Sequence, residues 1–499
     1  MGSEYGFFIN GKWTKPKGRR TFSTVNPANG EVLGEFLHGT KEDVDAAARA
    51  AKAAFEAWRK TPPPRRGEMV LEAAQIFRRQ KEELGRIVTM EMGKVIAEGR
   101  GDVQEAIDFF TYASGEGRRF FGQTVPSELP DKVCLTFRLP VGPVGLITPW
   151  NFPIAIPSWK SGAALIAGCT VVFKPSSLTP LCAAKFTEVL EEAGFPAGVF
   201  NFVTGSGGVV GDAIIAHPSI RAVSFTGGVE TGKEVYKAAA AKMIKVGLEL
   251  GGKNPILVMD DADLDLLMDG VMFGAFGTAG QRCTAASRLI VQSGIYDRLL
   301  GQLVDRAKKL RVGNPLDAST DMGPVTGADQ ERKVLDYIEI GKNEGDKLIA
   351  GGRKLRGGMY DKGFFVEPTI FEVRPEKRLA REEIFGPVLS VIKVSDYDEA
   401  IAVANSVDYG LSSSIYTTDV RRAFAAMQDL EAWITYVNAP TIGAEVQMPF
   451  GGIKATGPTD TREAGTTALD EFTYVKTVYV DYSGRLQKAQ IDTERLVGG

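Results

Sequence analysis

Histidine is nearly absent from this sequence of 499 residues, which contains only His38 and His217. A histidine-rich zinc site is therefore excluded, and a catalytic pair of cysteine or serine with histidine has to use one of these two residues. His217 precedes Pro218 between a predicted helix and a predicted strand. This position is typical of a surface or capping histidine, so we expect a carboxylate or a lysine as any general base.

Cysteine is scarce as well. The four cysteines, Cys134, Cys169, Cys182 and Cys283, form no Cys-x-x-Cys pair. Four cysteines in so long a chain do not make a disulfide scaffold, so a reducing, cytoplasmic setting is expected.

Excess charge and long apolar runs are also missing. The net charge is −3 and we find no long basic run, which gives no support to nucleic-acid binding. No apolar run approaches the ~18 residues of a membrane span. The N-terminal segment lacks the charged-then-apolar order of a signal peptide. We therefore expect a protein without a nucleic-acid or membrane partner.

The apolar pattern that is present predicts an α/β fold. Helical periodicity is found over residues 40–60, 65–91 and 102–121. From residue 141 onwards, short apolar strands alternate with helices, and one more strand is predicted at 364–371. This alternation is typical of parallel sheets covered by helices. An apolar segment at 474–480 is typical of an edge strand, which favours pairing with another chain.

Polar residues follow several of the predicted strands. Asn151, Lys174, Gly205 and Gly227 each stand at or just after the carboxyl end of a strand. Ligands of parallel α/β sheets bind at these ends, so we expect the four positions to lie near one site.

Cys283 stands in a small, polar, glycine-broken stretch at 277–284. Its neighbours Arg282 and Thr284 are poorly suited to an apolar core, and glycine lets backbone amides approach a reacting atom. These features favour a nucleophilic cysteine. A buried, inert cysteine is the alternative, because free cysteine is among the most buried residue types. The stretch by itself leaves both interpretations open.

Two glycine-rich loops follow strands and precede helices, at 205–211 and 225–232. Free amides at a helix start suit a pyrophosphate, although valine at position 210 breaks the Gly-x-Gly-x-x-Gly pattern of the first loop. One loop could be an ordinary turn, but two at one sheet edge favour dinucleotide binding. Lys174 could bind ribose or phosphate oxygens; a surface lysine is the alternative.

Glu249 lies between Leu248 and Leu250, beside two glycines. An apolar setting raises a carboxyl pKa and makes the group a better base near neutral pH. The alternative is an ordinary exposed glutamate at a strand end. Asn151 offers an amide donor of the kind found in oxyanion holes, with a turn asparagine as the alternative.

Seven stretches together resemble motifs of the aldehyde dehydrogenase superfamily, in that family's order and over nearly the whole chain. They are PWNFP at 149–153, FKP at 173–175, FTG at 225–227, ELGGK at 249–253, GQRC at 280–283, EIFGP at 383–387 and PFGGIK at 449–454. The resemblance implies an α/β fold with a Rossmann-type cofactor domain, an α/β catalytic domain and a small oligomerisation arm. The implied boundaries are 1–122 with 141–250, then 251–455, then 123–140 with 456–499.

The resemblance also implies a covalent oxidation of an aldehyde to its acid, without a metal. Cys283 would be the nucleophile, passing through a thiohemiacetal and a thioester. Asn151 and the Cys283 amide would hold the oxyanion, and Glu249 would activate the hydrolytic water. Lys174 completes the implied catalytic set. Implied cofactor-binding residues are Thr148, Pro149, Trp150, Lys174, Ser176, Ser177, Gly207, Gly211, Phe225, Thr226, Gly227, Gly228, Leu250, Glu383 and Phe385. Implied substrate-binding residues are Asn151, Phe152, Trp159, Arg282, Thr284 and Phe450.

Two positions refine this interpretation. NAD-preferring members often carry a glutamate where this chain has Ser177, so the sequence favours NADP, with NAD as the alternative. Coenzyme-A-acylating members usually lack the glutamate at position 249, so hydrolysis is favoured. A coenzyme-A-acylating enzyme and a non-catalytic binding protein on the same fold are the alternatives. Gly228 departs from the serine of many relatives, and a backbone amide would have to replace that hydroxyl.

The substrate is expected to be a small aldehyde. The loop at 440–445 and the tail at 479–486 are similar to semialdehyde-oxidising members, 2-oxoglutarate semialdehyde among their substrates. Small aliphatic or hydroxy aldehydes are the alternatives. The resemblance further implies a homodimer or homotetramer in which the strand at 474–480 joins a neighbouring subunit.

Overall fold

Two seven-stranded sheets organise the computed structural model, which describes residues 3–458 and 462–491. The strands of these ranges are β1 (Ser3–Tyr5), β2 (Phe7–Ile9), β3 (Lys12–Thr14), β4 (Thr21–Val25), β5 (Val32–Leu37), β6 (Thr124–Pro126), β7 (Lys132–Pro140), β8 (Pro143–Ile147), β9 (Thr170–Lys174), β10 (Phe200–Phe202), β11 (Ala222–Thr226), β12 (Lys245–Glu249), β13 (Asn254–Val258), β14 (Ala286–Gln292), β15 (Lys347–Ala350), β16 (Thr369–Glu372), β17 (Val388–Val394), β18 (Tyr409–Gly410), β19 (Ser412–Tyr416), β20 (Ile434–Val437), β21 (Ile453–Lys454) and β22 (Thr473–Asp481).

Helices connect most of these strands. They are α1 (Lys41–Trp58), α2 (Pro63–Arg79), α3 (Lys81–Met92), α4 (Ile96–Glu116), α5 (Ala155–Ala167), α6 (Pro180–Glu192), α7 (Asp212–Ala216), α8 (Val229–Ala241), α9 (Leu264–Phe276), α10 (Tyr296–Lys309), α11 (Ala328–Asn343), α12 (Arg378–Arg381), α13 (Tyr397–Asn405), α14 (Val420–Asp429) and α15 (Ala468–Phe472). Within the described ranges, none of them is both long and apolar enough to cross a bilayer.

The first large sheet has the order β12-β11-β8-β9-β10-β2-β3, and its five strands from β12 to β10 are parallel. Every residue of β8 and β9 is buried. Successive side chains of a strand point to opposite faces. Val171 and Phe173 accordingly pack into one core cluster and Val172 into another. Helices cover both faces of this sheet, which explains why its strands are almost continuously apolar.

The second large sheet has the order β15-β16-β17-β14-β13-β19-β20 and is parallel except for β15. Ile256 and Val258 of β13 pack on one face, and Leu257 packs on the other. The chain crosses from the first sheet to this one between Glu249, which ends β12, and Asn254, which begins β13. These observations confirm the predicted α/β class with parallel sheets.

A three-stranded antiparallel sheet, β22-β7-β6, stands apart from the two large ones. The predicted edge strand at 474–480 is confirmed as β22, which pairs with β7 from Thr473 opposite Pro140 to Asp481 opposite Lys132. Most side chains of β22 are exposed. Residues 1–2 of the implied cofactor domain, and residues 459–461 and 492–499 of the implied arm and tail, lie outside the described residues.

Three predicted elements were wrong in their extent. The helix expected at 102–121 is α4, which begins at Ile96 and ends at Glu116. The single helix expected at 65–91 is two helices, α2 and α3, because Gln80 has φ −97° and ψ 7° and leaves the helical region. The strand expected at 364–371 begins only at Thr369. The Phe364 amide instead donates to the Pro27 carbonyl and the Glu367 amide to that of Arg353, so this buried apolar run bonds to loops.

Candidate active site

A cleft of about 600 Å³ opens at the carboxyl ends of β8, β11 and β12, where they face loops of the second sheet. It is lined by Pro149, Trp150, Asn151, Thr226, Gly227, Gly228, Leu250, Gly251, Cys283, Gln330, Lys333, Glu383 and Phe385. Ten of these residues belong to the predicted site. Gly251, Gln330 and Lys333 were not predicted. Residues up to 236 positions apart in sequence, from Pro149 to Phe385, therefore converge where a parallel sheet normally binds its ligand.

The turn before Cys283 has an unusual backbone. Thr278 and Ala279 have φ values of 53° and 52°, a left-handed conformation that costs roughly 1–3 kcal/mol at a non-glycine residue. The Thr278 amide donates to both oxygens of Glu98, at 2.8 and 3.1 Å. Gly280 is also left-handed, and a Cβ there would lie 2.2 Å from the Gly386 carbonyl oxygen. Glu98 and the close approach of Gly386 thus fix the turn that presents the cysteine.

The Cys283 thiol is half-buried and sits among carboxylates. Burial, followed by the negative charges of Glu249, Glu383 and Glu463, raises the pKa of the thiol to about 12. In the protein alone the sulfur is therefore protonated at neutral pH. The Cys283 carbonyl accepts a hydrogen bond of 2.7 Å from the Asn254 side chain, which anchors the backbone beneath the thiol.

Glu249 ends β12 with its side chain almost fully buried. Its Oε2 finds no hydrogen-bond partner among the described residues. Burial, reinforced by the charge of Glu463, raises the pKa of the Glu249 carboxyl well above its ordinary value. A Cβ at Gly451 would lie 2.5 Å from Arg462 Cδ and 3.0 Å from Glu249 Oε1, so the glycine leaves room for both side chains. Such a carboxyl can accept a proton near neutral pH.

Glu463 acts on Glu249 through its charge and forms an ion pair with a buried lysine. Lys160 forms an ion pair with Glu463 and donates a 2.7 Å hydrogen bond to the Ser224 hydroxyl. The Thr226 hydroxyl donates to Glu463 as well, at 3.3 Å. Sequence reasoning missed both charged residues. Lys160 lies within the wholly buried helix α5, where a lysine without a partner would be very costly.

Asn151 and Glu383 both line the cleft. Asn151 follows β8 and is buried, and its Oδ1 has no hydrogen-bond partner within the described part of the chain. The ring of its neighbour Trp150 meets the Phe385 ring edge-on, with centroids 5.4 Å apart. Glu383 accepts the Gly252 amide at 3.0 Å, and burial raises the pKa of its carboxyl.

The other predicted cofactor residues lie at the neighbouring strand ends. Lys174 ends β9, where its Nζ donates to the Pro175 carbonyl at 2.7 Å and burial lowers its pKa to about 8. The Ser177 hydroxyl donates to the Gly205 carbonyl at 3.2 Å, and the Ser176 hydroxyl accepts an amide of the same turn. This places the loop after β9 against the loop after β10.

Both glycine loops lead into helical turns. Gly207 and Gly211 bound a short turn that continues into α7, and Gly228 immediately precedes α8. A Cβ at Gly207 or Gly228 would meet nothing within 4 Å, whereas one at Gly211 would lie 4.0 Å from the Lys174 side chain. Phe225 is buried at the end of β11, and Thr148 is buried after β8 with its hydroxyl unpartnered among the described residues.

Three aromatic rings, those of Phe109, Trp159 and Phe450, form a continuous group. The Trp159 ring lies 5.1 Å from Phe450 and 6.3 Å from Phe109. A second cavity, of about 1170 Å³, adjoins Phe450 and is lined by Trp433, Ile434, Thr435, Tyr436, Gly443, Ala444, Glu445, Gln447, Met448, Pro449 and Phe450. The Thr284 carbonyl accepts a 2.7 Å hydrogen bond from Thr441, which ties this loop to the cysteine turn.

Arg282 is directed towards Glu98 rather than into the first cleft. Its guanidinium lies 2.9 Å from Glu98 and donates to the Thr278 hydroxyl at 3.0 Å. It also lies over the rings of Phe152 and Phe273, at 5.3 and 5.2 Å from their centroids. The structure thus places Arg282 beside Phe152 with its charge already balanced by one carboxylate.

A thiol and a buried carboxyl at the carboxyl edge of a parallel α/β sheet are the parts of an enzyme that works through a covalent intermediate. Residues 13–478 match the model of the aldehyde dehydrogenase family. The chain belongs to the aldehyde dehydrogenase family, whose members are NAD(P)-dependent enzymes that oxidise aldehydes to acids. The family resemblance read from the seven motifs is therefore confirmed.

Individual relatives are similar over nearly their whole length. The chain is 44% identical over 475 residues to an alpha-ketoglutaric semialdehyde dehydrogenase of Bacillus subtilis, covering 95% of this chain and 97% of that protein. It is 44% identical over 472 residues to a 2,5-dioxopentanoate dehydrogenase of Saccharolobus solfataricus, covering 94% and 98%. The crystal structure of betaine aldehyde dehydrogenase from Staphylococcus aureus in complex with NAD+ superposes with a TM-score of 0.94 at 36% identity, covering 97% and 95%.

The raised pKa of Cys283 predicts how the thiol reacts. Because only the thiolate is alkylated, the rate of Cys283 modification by iodoacetamide should rise about tenfold per pH unit from pH 7 to 9, without a plateau. Peptide mass spectrometry separates Cys283 from the other three cysteines. Glu249→Gln removes one of the charges that hold the proton on sulfur, so it should speed alkylation at the pH values at which Glu249 is ionised. A plateau below pH 8 in the wild type would contradict the assignment.

Proposed function

We propose that this enzyme oxidises a short semialdehyde to the dicarboxylic acid, with 2-oxoglutarate semialdehyde (2,5-dioxopentanoate) as the first candidate. The observation that supports the reaction is that Cys283 and Asn151 line one cleft and that the buried Glu249 carboxyl acts electrostatically on the Cys283 thiol. The candidate substrate is supported by the B. subtilis and S. solfataricus relatives, whose two names describe the same compound. Small aliphatic or hydroxy aldehydes are the competing substrates.

The cleft fits a nicotinamide cofactor. A Cβ at Gly228 would contact nothing within 4 Å, so a ligand can approach the backbone there. Gly228 precedes the 13-residue helix α8, whose free N-terminal amides suit a phosphate. Thr148 and Asn151 each have a buried side-chain oxygen without a hydrogen-bond partner among the described residues. Glu383, which lines the cleft, has a carboxylate that can accept hydrogen bonds from ribose hydroxyls. Trp150, Thr226, Gly227, Leu250 and Phe385 would form the walls. The cofactor, when bound, supplies the acceptor for a hydride from the aldehyde carbon.

In this proposal, the Cys283 thiol first releases its proton to solvent, and the thiolate then attacks the aldehyde carbon and forms a thiohemiacetal. The Asn151 side chain and the Cys283 amide donate hydrogen bonds to the oxyanion. Loss of hydride from the same carbon leaves a thioester on Cys283. Glu249 then takes a proton from water, whose oxygen attacks the thioester carbonyl, and the acid leaves as the thiol re-forms. The raised pKa of Glu249 suits this step, since a poorly basic carboxylate would not accept the proton.

We propose three functional parts of the chain. The cofactor domain comprises residues 1–122 and 141–250, the catalytic domain comprises residues 251–455, and the oligomerisation arm comprises residues 123–140 and 456–499. The crossing between the two large sheets after Glu249 supports the first boundary. A cytoplasmic location is proposed because the four cysteines are free thiols, as a reducing compartment would keep them.

A panel of aldehydes tests the proposed reaction. Purified enzyme is given 2,5-dioxopentanoate, 5-oxopentanoate, pentanal or glyceraldehyde with NAD or NADP, and the reduced cofactor is followed by absorbance. The semialdehydes should give the highest kcat/KM. Cys283→Ala should lose roughly 10⁴-fold in rate or more, because the nucleophile is gone. Glu249→Gln should release one reduced cofactor per subunit in a burst and then stall, because the thioester is no longer hydrolysed.

Cys134→Ser serves as the control, since Cys134 lies in β7 outside both cavities described above, and it should keep wild-type rates. Failure of every aldehyde to reduce either cofactor would refute the proposed reaction. Turnover that requires coenzyme A would instead establish the acylating alternative, which the presence of Glu249 disfavours. Full activity of Cys283→Ala would remove the covalent mechanism.

We propose a preference for NADP, with NAD as the alternative. A glutamate at position 177 would repel a 2′-phosphate, whereas the Ser177 hydroxyl and Lys174 carry no negative charge. The S. aureus relative was solved with NAD+, so the alternative has support as well.

The substitution Ser177→Glu tests this preference. It should lower the ratio of kcat/KM for NADP to that for NAD by about tenfold or more, because a carboxylate and a phosphate repel each other. Ser177→Ala removes the hydroxyl without adding charge and should change the ratio much less. An unchanged ratio in Ser177→Glu would overturn the assignment of this position.

We propose that the protein assembles as a homodimer or homotetramer through β22. Its outer edge is unpaired within the described chain, and Tyr474, Val475, Tyr479 and Val480 are all exposed beside it. An apolar edge strand of nine residues is a surface on which a second subunit can extend the sheet.

Charges on this strand should weaken the assembly. The double substitution V475E/Y479E should shift the protein towards monomers in sedimentation equilibrium, because a buried interface would have to desolvate four or more carboxylates. Val32→Glu is the control, because it places a similar charge on an exposed residue of β5 and should leave the assembly intact. A monomeric wild type, or a double variant that still assembles, would contradict the proposal.

A further inference from the structure

Lys333 of α11 lines the cleft, but the proposed mechanism leaves it unused. The residue is half-buried, and it is the one lysine or arginine among the described residues that line the cleft. Glu383 is the one carboxylate among them. The cleft that fits the cofactor therefore contains a single cationic side chain, which no sequence motif predicted.

Helix α11 holds this lysine at the cleft. Gln330 lies one helical turn before Lys333, and residues three apart lie on the same face of a helix. The Gln330 side-chain amide donates to the carbonyls of Ile384 and Phe385, at 3.3 and 2.6 Å. Helix α11 is thus fixed against the loop that carries Glu383, and its next residue on this face, Lys333, borders the same space.

Lys333 forms no ion pair and donates no hydrogen bond to any residue that the structure describes. Glu383 instead accepts the Gly252 amide at 3.0 Å. Glu382 pairs with Arg378 at 2.8 Å. Burial lowers the pKa of the Lys333 ammonium against the opposing charge of Glu383, as expected of a cation without a close partner.

The start of α8 lines the same cleft and offers backbone amides without a side-chain donor. Gly228 precedes this helix and has no hydroxyl that could bind a phosphate. Lys233 of the helix is already paired with Glu230, at 2.7 Å. The amides at the start of α8 can therefore supply hydrogen bonds to a phosphate, whereas the positive charge has to come from Lys333.

The cleft needs a cation if it is to hold phosphate groups. The carboxyls of Glu249, Glu383 and Glu463 all act on the Cys283 thiol, so the surroundings are unfavourable for further negative charge. A nicotinamide dinucleotide brings two negative charges in its diphosphate. Lysine binds phosphate as a compact point charge, so the Lys333 ammonium can offset this repulsion.

We propose that Lys333 binds the diphosphate of the nicotinamide dinucleotide, together with the amides at the start of α8. This inference rests on the proposed function, from which it takes the class of cofactor and the cleft in which that cofactor binds. It adds a binding residue whose contribution depends on its charge. Removal of the charge should therefore weaken ligands that carry the diphosphate and spare ligands that lack it.

The substitution Lys333→Met tests the inference by equilibrium binding, measured by isothermal titration calorimetry without an aldehyde. Methionine keeps a long unbranched side chain but removes the charge. The Kd for NADH, whose only phosphates are those of the diphosphate, should rise about tenfold. The Kd for ADP, which has the diphosphate but no nicotinamide ribose, should rise by a similar factor. The Kd for adenosine, which has no phosphate, should not change.

Two further variants of α11 are the controls. Lys333→Arg keeps the positive charge and should restore most of the affinity for NADH and ADP. Arg332→Met removes the neighbouring cation, which is exposed and pairs with Asp329, and should leave all three Kd values unchanged. Added salt should weaken NADH binding to the wild type more than to Lys333→Met, because salt screens the charge that the variant lacks.

An unchanged Kd for NADH in Lys333→Met would overturn the inference. An equal loss of affinity for adenosine would overturn it too, because that result indicates a merely structural role. If the affinity for NADH falls and that for ADP does not, Lys333 acts at the nicotinamide ribose beside Glu383, and the assignment to the diphosphate is wrong.

These readouts separate the inference from the function on which it rests. If no aldehyde is oxidised but Lys333→Met binds NADH and ADP more weakly than the wild type, the proposed reaction fails and the role of Lys333 stands. If a semialdehyde is oxidised and both proteins bind NADH equally well, the proposed function stands and the role of Lys333 fails. A wild-type protein that binds neither NADH nor NADPH would refute both.

Discussion

The contact between Glu98 and the turn at residues 278–280 is the constraint on which the site depends. Two consecutive non-glycine residues with left-handed backbone are unfavourable by themselves. The Glu98 carboxylate offsets this cost by accepting the Thr278 amide and pairing with Arg282. Because Glu98 belongs to α4 and the turn follows α9, this contact joins the helical layer of the first sheet to the second sheet directly at Cys283.

Negative charge accumulates around that cysteine to an unusual degree. Glu249, Glu383 and Glu463 all act on the Cys283 thiol, and Lys160 is the buried cation that pairs with one of them. Burial keeps the solvent from screening these charges, so each carboxyl raises the proton affinity of its neighbours. The result is a region in which the pKa values of Cys283, Glu249 and Glu383 are all raised.

Sequence patterns predicted the parts of the site that follow strands. Asn151, Lys174, Gly227 and Glu249 come at or directly after the ends of buried strands, so their common location at one sheet edge could be deduced from the α/β alternation. Cys283 was recognisable as a candidate, but its own surroundings left the inert alternative open. Only the order of the seven motifs resolved it, because a chance match to all of them is implausible.

Residues on helices could not be found in the same way. Glu98 lies on α4, and Gln330 and Lys333 lie on α11. Helical periodicity shows which face of a helix is polar without showing what that face contacts. The prediction of a single helix at 65–91 was wrong for a related reason. The one non-helical residue, Gln80, leaves the helical spacing of the apolar residues unchanged.

The sequence by itself determined the α/β class and the family, and it predicted the nucleophile and the carboxyl base, because these depend on local order along the chain. Tertiary structure alone decided that Arg282 turns to Glu98 and that Lys160 pairs with Glu463. Each of these contacts joins residues that are 184 or more positions apart in the sequence. Charge pairs between residues so far apart in the sequence form only when the chain packs, so the pattern of a single segment cannot predict them.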